Sequence, residues 1–466
     1  MSNNEEAAAP PSSWLLPRPL RDAGLTLKAA AAVALSIVAL VPLMEVEDLV
    51  QERQGRQQAV IDEIFSIWGG AQGIAGPYLE VPVTRASAGT GARAEMRDTS
   101  VIVLPADLNI DVGVQPEVRH RGIFEAVVYI ADVTITGSFG GIDSSAFPDG
   151  VQTIDWTGAK LRLDVSDARS IRGDVDVFWN DSPVGLQLLA EPTTMPGAGD
   201  SLGADITLNR TAAVAGGDGF RIHYVVAGSG QLDLIPSGGS TTAKVLSPWN
   251  APRFDGSFLP STSDINADGF AATWVVSDYA RGFPLVWLDS ETTRYCSAMR
   301  NSAFGVELIE DVGLYRKTER AVKYGLLFFA VTFLTFLVLE VSSGVRLPLV
   351  HYGLVGAALC VFYVLLLSLA EVIGFPAAFA VSAAAVVAQI SVFVWAVVRR
   401  ARAAFVFAAL LAAVYVYLYV LLDLEDMALL GGALGLFALL SVAMFALRGI
   451  GGVDPENPSS SPQGPL

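Results

Sequence analysis

The chain is poor in the side chains that hold metal ions or crosslink a fold. It has two cysteines and three histidines among 466 residues. Cys296 lies in a polar segment and Cys360 in an apolar one, so we expect no disulfide between them. His120, His223 and His351 are widely separated in sequence, and no HExxH, paired-cysteine or EF-hand spacing occurs. We therefore predict no metal site, no cofactor-binding residues and no cofactor.

Positive charge is scarce too. The chain has 30 Lys and Arg against 47 Asp and Glu, a net charge of −17, which argues against nucleic acid as a partner. Residues 45–318 hold about 36 acidic and about 20 basic residues and so account for nearly all of the imbalance. We interpret this acidic surface as one that keeps a domain soluble and away from anionic lipid. Attraction of cationic ligands is the less favoured alternative.

Sequence patterns of hydrolases and nucleotide-binding enzymes are missing as well. No GxSxG elbow precedes a helix, and Gly228-Ser229-Gly230 lies between two strand-like runs, where it fits a turn. No glycine-rich phosphate loop is followed by Lys and Ser or Thr. We predict no catalytic residues and expect that the protein is not an enzyme.

Long apolar runs dominate what is present, with 52% hydrophobic residues and a mean hydropathy of +0.48. Residues 24–44 are long enough to cross a hydrocarbon core of about 30 Å. We favour an uncleaved anchor over a cleaved signal peptide, because the apolar run is too long and Glu45-Val46-Glu47-Asp48 follows where a small-residue cleavage site would lie. Five further runs predict transmembrane helices, for six in all: 321–342, 348–369, 374–398, 403–422 and 427–447.

The basic residues of the short loops predict the orientation. They fall on one side of the six-span arrangement, the side that holds both termini: Arg18, Arg21, Lys28, Arg346, Arg399, Arg400, Arg402 and Arg448. By the positive-inside rule this side is cytoplasmic, and the segment after the first helix is periplasmic. The group Arg316, Lys317, Arg320 and Lys323 is the exception, but it follows a long translocated segment, where the rule is weak.

Three features describe the expected helix bundle. Tyr415, Tyr417 and Tyr419 are predicted to be interfacial aromatics. Gly431 and Gly435 have the small-xxx-small spacing of closely packed membrane helices. The ionisable residues Glu340, His351, Glu371 and Asp423 fall near helix ends rather than at mid-membrane, where transporters commonly place them.

Between the first and second apolar runs the periodicity changes. Residues 45–68 follow helical spacing and end at Gly69-Gly70, which predicts an amphipathic stalk that packs on the following domain. Alternation with period two then predicts mainly antiparallel strands in a sandwich-like fold. The predicted strand regions are 100–112, 124–139, 160–166, 174–179, 220–235 and 270–277.

These patterns predict an α+β membrane protein of the following organisation: a cytoplasmic segment 1–23, transmembrane helix 24–44, stalk helix 45–70, periplasmic β-rich domain 71–318, five-helix bundle 319–448 and a disordered cytoplasmic tail 449–466. A weak echo between residues 137–169 and 256–281, each with a tryptophan at its centre, suggests a duplicated β module. Chance matching of common strand residues is an equal alternative. The duplication requires Trp156 and Trp274 at equivalent points of two similar sheets.

Several strings resemble the CreD family of bacterial inner-membrane proteins, which is also named for cell envelope integrity. They occur in order between about residue 25 and residue 447: Gly76-Pro77-Tyr78-Leu79 with Val81-Pro82-Val83, residues 122–139, residues 165–173, Ser247-Pro248-Trp249 with Pro252, Phe254, Gly256, Phe258, Leu259 and Pro260, and Asp311-Val312 with Tyr315 and Arg320-Ala321-Val322-Lys323-Tyr324. We interpret the matched Pro, Trp, Gly and Phe positions as turns and core aromatics.

The resemblance implies an inner-membrane protein of envelope stress and integrity and supplies no catalytic residue. Its expected partners are the lipid bilayer and, outside it, envelope proteins, peptidoglycan or lipid. Two functions are weighed first, and a periplasmic hydrolase, which would need a convergent carboxylate or Ser-His cluster, is a third. One is a non-enzymatic envelope protein that acts through its periplasmic domain. The other is a transporter or flippase-like protein that uses the helix bundle, which would need a continuous polar cavity.

Overall fold

The structure is a computed structural model that describes residues 30–31, 33–87, 95–140, 147–189, 199–208, 217–308, 314–343, 347–424 and 427–447. The predicted segments 1–23 and 449–466, and residues 24–29 of the first apolar run, lie outside the described residues. The chain divides into two compact units. Residues 1–56 and 312–466 form the helical unit, and residues 57–311 form the β unit.

The first long helix, α1, spans Leu40–Trp68. Residues 30–38 are also helical where they are described, and helical hydrogen bonds continue through the junction, from Ala39 N to Leu35 O (2.9 Å) and from Leu43 N to Ala39 O (3.3 Å). The helix therefore begins well before residue 45, where the amphipathic pattern starts. In the β unit its last turn is held by Trp68, whose Nε1 donates to Tyr129 O at 3.3 Å.

The β unit contains eighteen strands among the described residues. They are β1 Gln72–Ser87, β2 Glu95–Val103, β3 Asp107–Arg121, β4 Phe124–Phe139, β5 Val151–Ile154, β6 Ala159–Val165, β7 Ile171–Trp179, β8 Ser182–Val184, β9 Gln187–Leu189, β10 Asp200–Ile206, β11 Asp218–Ser229, β12 Gln231–Leu234, β13 Ser240–Ser247, β14 Pro252–Gly256, β15 Thr262–Asn266, β16 Gly269–Ser277, β17 Val286–Leu288 and β18 Phe304–Leu308. Two short helices interrupt the later strands, α2 Asp278–Arg281 and α3 Thr292–Asn301.

The strands form a ten-stranded and an eight-stranded sheet. The main path of the first runs β14-β18-β12-β1-β6-β10-β9, with β2, β5 and β17 joined to it, and the second runs β15-β16-β13-β3-β4-β11-β7-β8. Pairing is antiparallel except for β1 with β12 and β3 with β13, which are parallel. The expectation of a large, mainly antiparallel β domain is confirmed.

One hydrophobic core joins the inner faces of the two sheets. It contains Leu161 and Leu163 from β6 and Val133 and Ile135 from β4, each fully buried. Strand β4 matches the predicted strand 124–139, and its alternate residues from Val127 to Ile135 face this core, as the alternation predicts. The sandwich therefore rests on apolar burial between two sheets.

Two predicted strands are wrong because each run passes from one sheet to the other. The run 100–112 breaks at residues 104–106, between β2 in the ten-stranded sheet and β3 in the eight-stranded sheet. The run 220–235 breaks at Gly230, between β11 and β12. Gly230 has φ +66°, a backbone conformation that favours glycine and turns the chain between the sheets.

The duplication hypothesis is wrong. Trp156 is half-buried in a turn before β6, where it packs edge-on against Phe147, whereas Trp274 is fully buried in the middle of β16. Strand β6 belongs to the ten-stranded sheet and β16 to the eight-stranded sheet. The two tryptophans therefore occupy different positions in different sheets.

A second, smaller core covers the outer face of the ten-stranded sheet. Residues between β16 and β18, including Phe283, Trp287 and Met299, pack there against Tyr78 of β1 and Ile102 of β2. Within it, Trp287 Nε1 donates to Thr292 Oγ1 at 3.0 Å. This cover, made of α2, β17 and α3, buries side chains that would otherwise lie on a solvent-facing sheet surface.

After the β unit, the part of the helical unit that the structure describes contains six helices: α4 Leu314–Lys323, α5 Gly325–Ser343, α6 Leu349–Ile373, α7 Phe375–Val398, α8 Ala401–Asp423 and α9 Ala428–Leu447. Three of these, α6, α7 and α8, are long and apolar enough to cross a membrane. The pair α4–α5 is bent by 49° and makes a fourth crossing if it counts as one span. The first apolar run and α9 are not among these four, so six spans stay a prediction.

The bundle core corrects the interpretation of Tyr415. This residue is 2% exposed and packs against the rings of Phe328 (4.5 Å between centroids) and Phe362 (4.8 Å), so it is a core residue rather than an interfacial one. Close packing at the glycine pair is confirmed. The Tyr417 hydroxyl donates to Gly431 O at 2.6 Å, which brings α8 against α9.

Candidate functional site

Two buried arginines lie in the β unit, and the first of them has hydrogen-bond and ion-pair partners. Arg162, on the outer face of β6, is 2% exposed. Its Nη1 donates to Glu80 Oε2 at 2.7 Å, and its Nε and Nη2 donate to Ser201 Oγ at 3.1 and 3.0 Å. The Tyr78 hydroxyl donates to Asp164 Oδ2 at 3.0 Å beside it. Burial, followed by the charge of Asp164, raises the pKa of Tyr78. The guanidinium of Arg162 thus has carboxylate and hydroxyl partners for its hydrogen bonds, which a stable buried charge requires.

The second arginine differs in that respect. Arg281, the last residue of α2, is 3% exposed. None of its three guanidinium nitrogens has a hydrogen-bond partner among the described residues. Its guanidinium lies over the ring of Phe283, 4.7 Å from the centroid. Burial lowers the pKa of Arg281 to about 10, against a smaller opposing effect of Asp278. The side chain is therefore still protonated at neutral pH and places a positive charge in an apolar environment.

Exposed apolar side chains occur in α2, in β16 and in the segment before β15. Tyr279, in the same short helix, is 96% exposed, and Val275, near the end of β16, is 60% exposed. Leu259 is 77% exposed and lies two residues before Ser261, whose Oγ accepts from Val275 N at 3.3 Å. Isolated exposed apolar residues of this kind are ordinary. We call the short helix α2, with the exposed Tyr279 and the buried Arg281, the β16-end site.

The chemistry available at the β16-end site is recognition of an anion. A guanidinium offers five N–H donors in a planar fork that matches a carboxylate or a phosphate. A buried charge without a partner costs several kcal/mol, so an anion that reaches Arg281 would recover free energy that the folded protein otherwise loses. Sequence reasoning missed this residue, because arginine is mostly exposed and its burial depends on the cover formed by α2 and α3.

The histidines do not converge. His120 Nδ1 lies 3.2 Å from Glu125 Oε1 at the tip of the β3–β4 hairpin, and His223 Nε2 lies 3.2 Å from Asp132 Oδ1 on the outer face of the eight-stranded sheet. His351 is in α6 of the helical unit, with its ring 5.3 Å from that of Phe393. Within the described ranges no three His, Cys, Asp or Glu side chains are grouped so as to hold a metal ion.

The acidic residues at the helix ends of the helical unit have partners. Glu371 accepts from the Tyr315 hydroxyl at 3.0 Å and lies 3.8 Å from Arg53 Nη1. Asp423 Oδ1 lies 3.3 Å from Lys317 Nζ, so a member of the exceptional basic group pairs with an acidic residue at the end of α8. Charges at these ends are thus partly compensated within the unit.

Glu340 is the most buried carboxylate among these residues. It is 6% exposed, and its oxygens accept from Leu347 N at 3.2 Å and from the Tyr352 hydroxyl at 3.0 Å. These contacts connect the end of α5 to the start of α6. The arrangement is that of a structural connection between two helices, since both carboxylate oxygens are engaged.

The positions that carry the family resemblance in the β unit have structural roles. The ring of Phe254 packs edge-on against Phe270 and Trp274, and Phe258 packs edge-on against Phe304. Trp274 Nε1 donates to Phe258 O at 3.0 Å. The interpretation of these aromatics as core residues is confirmed.

Comparison with known proteins agrees with the resemblance. The family model described as "Inner membrane protein CreD" matches residues 24–451. The curated protein "Inner membrane protein CreD" of Escherichia coli (strain K12) is 28% identical over 418 residues, which cover 89% of this chain and 90% of that protein. With nearly the whole length matched, the chain belongs to the CreD family of inner membrane proteins.

Proposed function

We propose that this protein is a non-enzymatic component of the inner membrane that supports the integrity of the cell envelope. In this proposal the β unit lies in the periplasm and binds an anionic group of an envelope component at the β16-end site. The observation that carries the proposal is the buried, protonated Arg281 without a hydrogen-bond partner among the described residues.

The periplasmic location follows from the loop charges together with six membrane crossings. Short loops on the proposed cytoplasmic side carry the basic residues Arg346, Arg399 and Arg402. The basic group in α4 is compatible with the opposite side, because Lys317 pairs with Asp423. Both termini are then cytoplasmic, and the acidic β unit meets the aqueous periplasm, to which its surface charge is suited.

The proposed ligand carries a carboxylate or a phosphate. Peptidoglycan stem peptides offer carboxylates, and envelope lipids offer phosphates. The exposed Tyr279, in the same short helix as Arg281, is available for apolar contact with a ligand, and tyrosine and arginine are common in binding hot spots. A positively charged ligand is not expected at Arg281, even though the net charge of the unit is negative.

Titration of the full-length protein in lipid nanodiscs tests the proposal. A soluble peptidoglycan stem peptide serves as the carboxylate probe and inorganic phosphate as the phosphate probe. We expect one of them to bind the wild type, and Arg281→Met to weaken that binding by a factor of about 10 to 100, because a charge-assisted hydrogen bond contributes about 1.5–3 kcal/mol.

Arg300→Met is the matched control, since Arg300 is an exposed arginine on the neighbouring helix α3. Equal binding by wild type and Arg281→Met would refute the assignment of the site. In cells that lack the native protein, Arg281→Met should fail to restore growth under detergent stress, whereas Arg300→Met should restore it.

The transporter alternative is less well supported by the helical unit. It requires a polar path through the bundle. The large cavity between α5, α8 and α9 has mostly apolar walls, and the buried Glu340 connects α5 to α6. We therefore base the proposed function on the β unit.

A further inference from the structure

An elongated groove follows the helical unit between α5 and α8. Its volume is about 830 Å³, and one side of its floor is formed by Gly435 and Ala438 of α9. Its walls are almost entirely aliphatic and aromatic, with Phe328 and Leu334 from α5 opposite Leu410 and Leu418 from α8. The groove is open along part of its length, because Leu410 is 46% exposed and Val406, another lining residue, is 65% exposed.

The groove is as long as a membrane is thick. Its lining residues extend from Arg400, at the N-terminus of α8, to Leu421, near the C-terminus of the same helix. A rise of 1.5 Å per residue makes this length about 30 Å, the thickness of a bilayer hydrocarbon core. Each half of the groove therefore matches the depth of one lipid leaflet.

The two ends of the groove differ in charge. Arg400 and Arg402 line one end, at the first turn of α8, where the helix N-terminus adds positive potential. Arg402 has no ion pair with any of the described carboxylates, so its charge is available to a ligand. The other end is lined by the rings of Tyr324 and Tyr417 and carries no basic lining residue.

We propose that this groove binds an anionic phospholipid, with the phosphate held by Arg400 and Arg402 and the acyl chains along α5 and α8. Charge complementarity identifies the headgroup, because two guanidinium groups at the end of an apolar groove match a phosphate attached to hydrocarbon chains. Basic pockets between transmembrane helices commonly bind anionic lipids. A polar solute does not fit the apolar walls, and an apolar surface of a second copy of the chain would offer no anion to Arg402.

Native mass spectrometry of the full-length protein in mild detergent tests this site. The probes are phosphatidylglycerol, which is anionic, and phosphatidylethanolamine with the same acyl chains, which is zwitterionic. We expect the wild type to retain phosphatidylglycerol preferentially. Arg402→Gln should reduce this preference about tenfold, and the double variant Arg400→Gln/Arg402→Gln should abolish it.

Two matched controls separate the groove from general surface effects. Arg399→Gln removes the same charge from the residue before Arg400, which does not line the groove, and should keep the preference. Ala413→Trp fills the groove and should lower retention of both lipids, whereas Ala412→Trp places the same ring on an exposed position outside the lining.

The proposal is overturned if the wild type retains both lipids equally, or if the double variant retains phosphatidylglycerol as well as the wild type does. A dimer mass that replaces lipid adducts would identify a second copy as the occupant and would also overturn it. Inorganic phosphate is expected to compete for the arginines. Such competition still supports a lipid if Ala413→Trp lowers lipid retention, since binding of a free ion would not respond to that substitution. These outcomes are independent of Arg281.

Discussion

Replacing the two buried arginines of the β unit should change the free energy of unfolding in opposite directions. Burial lowers the pKa of Arg281 from its ordinary value to about 10, so the charged form is disfavoured in the folded protein by about 3 kcal/mol at neutral pH. This penalty is present in full below pH 10 and is relieved only as the pH rises from about 10 towards 12.5. Methionine has a similar length and no charge. We therefore expect Arg281→Met to stabilise the unliganded protein by about 1–3 kcal/mol.

Arg162→Met should do the reverse. It removes the cation from Glu80 and from the fully buried Asp164, and breaking such a pair costs about 3–5 kcal/mol. For a unit of this size, about 2–4 °C of melting temperature corresponds to each kcal/mol. Arg281→Met should melt a few degrees higher than the wild type, and Arg162→Met about 10 °C lower.

Intrinsic tryptophan fluorescence during thermal unfolding of the full-length protein measures both changes, since six of the eight tryptophans lie within residues 57–311. If Arg281→Met lowers the melting temperature as much as Arg162→Met does, then Arg281 has a stabilising partner and our reasoning about it is wrong. A rise in stability combined with a loss of ligand binding would separate a binding defect from misfolding.

Three further predictions test other parts of the structure. Burial, with the charges of Asp255 and Glu307, raises the pKa of Asp233 above 3.8, so folding stability falls as the pH rises through that value. In thermal unfolding, Asp233→Asn should therefore be more stable than the wild type at pH 7. The difference should vanish below pH 3.8, where the carboxyl group is protonated in both states. Gly256 has φ +100°, and a Cβ there would lie 2.4 Å from Ala303 O. Gly256→Ala should therefore lower the free energy of unfolding by about 1–3 kcal/mol in the same assay. Gly113→Ala is the control and should lower it little, because no atom lies within 4 Å of that Cβ position. In a cysteine-free background, a cysteine at position 279 should react with an impermeant maleimide from the periplasmic side of intact cells, and one at position 399 only after permeabilisation; the reverse would refute the proposed orientation.

The features that followed from the sequence are those that depend on periodic burial. Strand β4 has the predicted bounds because its alternate residues from Val127 to Ile135 face the core in an uninterrupted series. Helices α6, α7 and α8 lie within a few residues of the predicted apolar runs for the same reason. A long segment with regular spacing of apolar residues can be assigned as a strand or a helix without knowing which elements pack against it.

Other features depend on distant contacts and were missed. Strands β8, β9 and β17 have three residues each, too few for a period to be visible. Continuous apolar runs gave no sign that the chain changes sheets at residues 104–106 and at Gly230. Tyr415 was misread because an aromatic near a helix end is interfacial or buried according to what packs on it.

The buried position of Arg281 is a further feature that the sequence did not predict. Its sequence neighbours, Asp278 and Tyr279, suggest an exposed turn, and Tyr279 is indeed exposed. Burial of Arg281 arises from residues beyond it in the chain, which fold over the ten-stranded sheet. No sequence pattern in this short helix predicts that Tyr279 is exposed while Arg281, two residues later, is buried.

The two parallel pairings have a consequence for biogenesis. Strand β1 pairs with β12, and β3 with β13, so one edge of each early strand is paired only after more than a hundred further residues have been synthesised. Contacts of such long range slow a folding reaction and leave the earlier strands with an unpaired edge in the meantime. A nascent chain that contains only β1–β4 therefore exposes unpaired backbone hydrogen-bonding groups until the last third of the β unit is synthesised, and we expect this interval to be the one most prone to aggregation.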